Sequence, residues 1–208
     1  MNSVLNSFSK FISIIVHPLM MPIYCTLYTL YGPTFYSCIP TGIKTAMLMN
    51  VGFFACFIPL VVLGVFIAFG FVTDMEMPRR RERSLPLLII SITTCIGSYL
   101  MGARLAGTPI GNMILGEGLL LFIAGGVSLF WKISLHAIGA GGLLAYVVVT
   151  GIMMHIDFSL AAAWAFIVSG LAAWARLYED AHTPGQMLSG FILGFAVMFV
   201  VLRVLMLA

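Results

Sequence analysis

The residues able to do chemistry in this 208-residue chain stand in three short clusters separated by long apolar runs. The first is Arg83, preceded by Arg79, Arg80 and Arg81. The second is Lys132, Ser134 and His136. The third is Arg176, Asp180, His182 and Gln186. Together they are rich in cations and hydrogen-bond donors and poor in carboxylates. Such a set suits an anion with tetrahedral or planar oxygens, which guanidinium and ammonium groups both match. Hard divalent cations would want carboxylate oxygens instead. At a membrane interface the first candidate anion is phosphate. Two histidines beside a phosphate suit one nucleophile and one general acid. Arginines there would stabilise charge on the equatorial oxygens of a phosphoryl group in transfer.

The elements that must position these groups are membrane spans. The chain is 62% hydrophobic and 8% charged, with a mean hydropathy of +1.12. A soluble surface needs roughly 25–35% charged residues, so a soluble domain, a disordered chain and a disulfide scaffold are excluded. Crossing the hydrocarbon core takes about 20 apolar residues per helix. Charges, prolines and glycine clusters divide the chain into seven such stretches: 11–33, 45–72, 86–103, 109–131, 133–154, 158–175 and 187–207. The count falls to six if the proline-rich first stretch dips into the bilayer without crossing. Pro59 is expected to kink the second. The apolar runs do not alternate as barrel strands must. The expected fold is therefore all-α, a polytopic helical bundle forming one integral membrane domain over 1–208, with polar motifs at 79–86, 132–136 and 175–186.

The polar clusters recur with a period of two spans. Ser134 and His136 follow Arg83 by 51 and 53 residues, and Arg176 and His182 follow His136 by 40 and 46. Each interval fits one helical hairpin, so three clusters distant in sequence are expected at one membrane face. Seven of the ten basic residues fall on that side: Lys10, Arg79, Arg80, Arg81, Arg83, Lys132 and Arg176. The positive-inside rule would make it cytoplasmic. A catalytic anion site would gather the same charge whichever way it faced, which leaves the sidedness open.

The three clusters resemble the motifs of the type 2 phosphatidic acid phosphatase superfamily of membrane lipid phosphatases, K-x6-R-P, P-S-G-H and S-R-x5-H-x3-D. Arg176, five residues and His182 reproduce the third, and Ser134-Leu135-His136 matches S-x-H of the second. In the first, Pro86 follows Arg83 two places late, and Glu76 stands at the lysine position. The resemblance covers roughly 79–190. It implies that His182 attacks phosphorus and that His136 protonates the leaving lipid oxygen. It also implies that Arg83, Arg176 and Lys132 hold the phosphate and that Ser134 donates to it, with no metal and no cofactor. The family's final aspartate, which orients the nucleophile, is replaced by Gln186; Asp180 or Glu179 is the alternative source of that charge. Implied partners are the bilayer and a lipid phosphate: phosphatidate-like, a polyprenyl diphosphate or a phosphorylated glycolipid. No nucleic acid is expected. The expected location is a bacterial inner membrane.

Blander readings stand beside these. The Arg79–Arg83 run suits an interfacial anchor. His17 suits a polar group satisfying carbonyls freed by Pro18 and Pro22; the alternative, on the seven-span count, is that it lines the site from about 9 Å inside the first span. Glu117 has no assigned role unless Arg104 pairs with it. Gly190 and Gly194, like Gly139 and Gly142, suit helix packing. The four cysteines read as small buried hydrophobes. Apart from a phosphatase, the pattern admits a lipid phosphotransferase or a relative that binds anionic lipid without turnover. A small-molecule transporter would predict internal repeats, and none is visible.

Overall fold

The computed structural model describes residues 3–105 and 107–207. The α-helices are α1 Ser3–Ile15, α2 Met21–Tyr31, α3 Thr41–Val51, α4 Ile58–Ala68, α5 Ser84–Leu105, α6 Pro109–Val127, α7 Leu135–Met154, α8 Ser159–Tyr178 and α9 Pro184–Leu205. No strand occurs among the described residues. Among the described residues, six helical stretches are long and apolar enough to cross a membrane: Thr41–Ala68, Arg80–Met101, Pro109–Val127, Leu135–Met154, Ser159–Tyr178 and Pro184–Leu205. The protein is an all-α polytopic bundle of the integral membrane class.

The first stretch is broken. α1 and the helix after it meet at a 43° bend, and counting the pair as one span gives seven. The break follows from local chemistry. Pro18 has no N–H and disfavours helical ψ at the residue before it, and His17 has ψ 140. The second stretch runs without interruption from Thr41 to Ala68, and its distortion is a π-helical turn over Gly52–Phe57. Pro59 lies just beyond, in the first turn of α4. A missing donor is accommodated by widening the preceding turn rather than by ending the helix.

Helix starts place the polar clusters. Thr183 and Gln186 form a capping box at α9, with Pro184 in its first turn. Ser134 caps α7 by accepting from Ala137 N–H. Thr108 caps α6 in the same way, ahead of Pro109. These are favoured cap and first-turn residues. The connections 69–83, 128–134 and 179–183 thereby fall at one end of the bundle.

α7 is the most enclosed span, with 67% of its length buried. Its backbone approaches that of α9 closely at three glycines. A Cβ on Gly190 would sit 2.7 Å from the carbonyl oxygen of Ser134, and one on Gly194 or Gly141 would overlap the carbonyl of Ile138 or Phe191. Small residues let membrane helices touch in this way, as the Gly190–Gly194 spacing predicts. The contact also sets Ser134 N–H against the Gln186 carbonyl at 3.4 Å, so the second and third motifs are held in register.

Gly194→Ala should therefore force α7 and α9 apart, with a destabilisation of about 1–3 kcal/mol typical of overpacking. Gly170→Ala meets no atom within 4 Å and should leave stability near wild type. Thermal unfolding of both variants in detergent measures the difference.

Candidate functional site

The three clusters converge. His17, Glu76, Arg83, His136, Arg176 and His182 line one cavity of about 100 Å³ at the end of the bundle. Arg83 and Arg176 are each 3% exposed, and His136 and His182 are 7% and 8% exposed. Guanidinium groups this deep need acceptors.

Arg83 finds them in the backbone. Its Nε donates to the Met77 carbonyl at 2.7 Å, Nη1 to the Ile133 carbonyl at 2.7 Å and Nη2 to the Glu76 carbonyl at 3.4 Å. It thereby ties the 69–83 loop to the start of α7. Met77 adopts φ 47 within that loop, a conformation uncommon outside glycine.

Arg176 finds its acceptors in carboxylates. Nη1 and Nη2 grip Glu76 at 3.1 and 2.9 Å, and Nη1 also donates to Glu179 at 2.9 Å. Ser13 Oγ donates to the same Glu179 at 3.3 Å, joining α1 to α8. Arg176 Nε is buried and keeps no partner. Glu76, 49% exposed, is held below the usual carboxylate range, first by its hydrogen bonds from Arg176 and against the opposing effect of burial. A two-oxygen anion of the protein itself thus fills part of the fork expected to hold phosphate.

The imidazoles have assignable tautomers. Gln186 Oε1 accepts from Thr183 N–H at 3.2 Å, which identifies that atom as oxygen. The same oxygen lies 3.0 Å from His182 Nδ1, so Nδ1 carries the proton and Nε2 keeps its lone pair. Burial lowers the His182 pKa to about 4, with the hydrogen bond to Gln186 opposing and Arg83, Lys132 and Arg176 adding to the depression. The ring is therefore neutral at neutral pH. His136 Nε2 lies 3.2 Å from the Ser13 carbonyl, which can only accept, so Nδ1 is the free nitrogen. His17 Nδ1 accepts from Leu19 N–H, which leaves its Nε2–H as a donor. The rings of His17 and His136 stand edge to face with centroids 5.4 Å apart.

Other expected residues have supporting positions. Lys132 Nζ donates to the Ala181 carbonyl at 2.9 Å, pinning the turn that carries His182. Burial, reinforced by Arg83 and Arg176, lowers its pKa below the ordinary lysine value. Ser134 is fully buried and its Oγ caps α7. Asp180 is exposed on the turn after α8, at φ 51, and does not line the cavity. Orientation of His182 therefore falls to Gln186. Arg79 pairs with Glu82 on the surface, and Arg80 donates to the Phe130 carbonyl. The Arg104 side chain lies outside the described residues.

Two groups in the cavity escape the motif pattern. Glu76 stands seven residues before Arg83, and that spacing is its only signal in the sequence. His17 is adjacent in sequence to Pro18, where a capping role alone would account for it. Searches among protein-family models, curated proteins and solved structures return no match to this chain.

Gln186→Glu should retain the capping box, in which Glu and Gln are equivalent, and should place a full charge beside His182 Nδ1. The His182 pKa should rise from about 4 by a unit or more, given that an adjacent opposite charge shifts a pKa by roughly 1–3 units. NMR titration of 15N-labelled imidazoles reads the change.

Because the Glu76 pKa is depressed on folding, its attachment is fully present above the ordinary glutamate pKa. It is lost as the pH falls through the depressed value. The amide protection factors across Thr73–Met77, which remove the pH dependence of intrinsic exchange, should therefore fall in acid, and Glu76→Gln should show the same loss of protection at neutral pH.

Proposed function

We propose that the protein is a lipid phosphatase that works through a phosphohistidine, a divergent relative of the type 2 phosphatidic acid phosphatases. The observation that carries this reading is His182: a neutral imidazole with its lone pair on Nε2, lining a cavity shared with His136 and two arginines. Further support comes from the unpartnered Nε of Arg176, a buried donor suited to an incoming anion.

The reaction follows from those atoms. A lipid phosphate displaces the Glu76 carboxylate from Arg176, whose guanidinium then holds two phosphoryl oxygens. His182 Nε2 attacks phosphorus, and the bond from phosphorus to the lipid oxygen breaks. The leaving oxygen takes a proton that His136 Nδ1 first accepts from the lipid phosphate monoanion, while its Nε2–H stays on the Ser13 carbonyl. Water, deprotonated by His136, then attacks phosphorus and frees His182 and inorganic phosphate. Gln186 keeps the His182 proton on Nδ1 throughout. Arg83, spent on backbone carbonyls, acts by holding the loop and by its charge.

Purified protein in detergent should release inorganic phosphate from a lipid phosphate with chelator present. His182→Ala should abolish the release. His136→Ala should lower it by about 10²–10⁴-fold for an alkyl leaving group and much less for an aryl phosphate, which needs little protonation. Full activity in His182→Ala would end the covalent mechanism.

Glu76 favours a second reading, a protein that binds anionic lipid without turnover, because it already neutralises Arg176. The two readings part on Glu76→Gln. A phosphatase should bind inorganic phosphate several-fold more tightly once the fork is emptied and should still release phosphate. A lipid-binding protein should gain affinity and release none.

A further inference from the structure

Below its polar mouth the cavity continues into the bundle. It follows α7 from His136 to Leu143 and α6 from Ala124 to Met113. Seven helical residues separate His136 from Leu143, about 10 Å at 1.5 Å per residue. The walls of this limb are Leu63, Leu121, Leu143, Met113 and Met198, interrupted by Glu117. Glu117 precedes Ala124 by seven residues on α6, which puts it about 10 Å below the mouth. Its Oε2 is enclosed and has no hydrogen-bond partner.

The chemistry at the mouth makes no use of this carboxyl. A polar group in an apolar wall is unfavourable unless something bonds it, and ionisable groups inside membrane helices mark ligand paths. The limb is lined almost wholly by apolar side chains, which suit an alkyl chain rather than a headgroup. Its methionines are flexible enough to fit one of irregular shape.

We propose that the limb binds a single lipid chain bearing a hydroxyl about 10 Å from its phosphate, and that Glu117 recognises that hydroxyl. This rests on the reading of the mouth as a lipid phosphate site. A hydroxyl both donates and accepts, so it satisfies the carboxyl in either protonation state. A chain ammonium would instead bring a second desolvated charge into the limb, a burden that pairing often fails to recover. A site that bonds a buried hydroxyl also discriminates strongly against a chain lacking it, because its own polar group is then left unpaired.

The test uses two synthetic alkyl phosphates of equal length, one plain and one with a hydroxyl at that distance. A third carries an amine at the same place. Binding to the whole protein in detergent is read by native mass spectrometry, independently of turnover. Wild type should bind the hydroxylated lipid about tenfold more tightly than the plain one. Glu117→Leu should bind both as wild type binds the plain one, and Glu117→Gln should keep part of the preference. Equal binding by wild type, or a preference that survives in Glu117→Leu, would overturn the proposal while leaving the phosphatase reading intact. Preference for the amine would overturn the hydroxyl assignment. Failure to bind any of the three would overturn both readings.

Discussion

Two guanidinium groups buried at one end of an apolar bundle have to be satisfied, and the architecture of that end is the means of doing so. Arg83 takes three backbone carbonyls from two loops. Arg176 takes two carboxylates from a loop and from the turn after its own helix. The acceptors come from three connections, 69–83, 128–134 and 179–183, so satisfying the arginines gathers the loops. The unsatisfied alternative, a buried unpaired charge, is among the most destabilising defects a fold can carry. The cavity and its histidines sit inside the ring of contacts that results.

Electrostatics and chemistry are coupled in this arrangement. Burial is the main cause that keeps His182 unprotonated, and the two arginines and Lys132, which make the cavity positive, add to it. A neutral imidazole is the form that can attack phosphorus. Glu76 offsets part of the field while no other anion is present, and it is half-exposed, so it can leave. Its departure falls on Arg176, whose side chain is 4% exposed, so another anion has to take its place.

Much of this was legible in the sequence. The two-span period placed Arg83, His136, Arg176 and His182 at one face because a helical hairpin must return to the side it left. The spacing of Gly190 and Gly194 marked a helix-packing face, and the structure supplies its partner, α7. Other features could not be read from a string. The pairing of Glu76 with Arg176 spans 100 residues and joins a loop to a helix end. The use of Arg83 on carbonyls depends on where backbone groups lie, which residue types do not encode. Ser134 keeps its expected place, but its hydroxyl oxygen serves the helix start, a role that any N-cap serine fills equally well. Asp180 differs for a local reason: the turn after α8 points it outward, and the neutral amide of Gln186 takes the orienting position.

One oxygen serves two masters at the start of α9. Gln186 Oε1 accepts both the Thr183 N–H that closes the capping box and the Nδ1–H of His182. The first turn of the helix and the aim of the imidazole therefore stand or fall as one. Fraying at that end would unlatch the ring without melting the bundle. On heating, the aim of the imidazole would then be lost in a local transition below the temperature at which the spans separate, because helix ends open at lower free energy than a packed core.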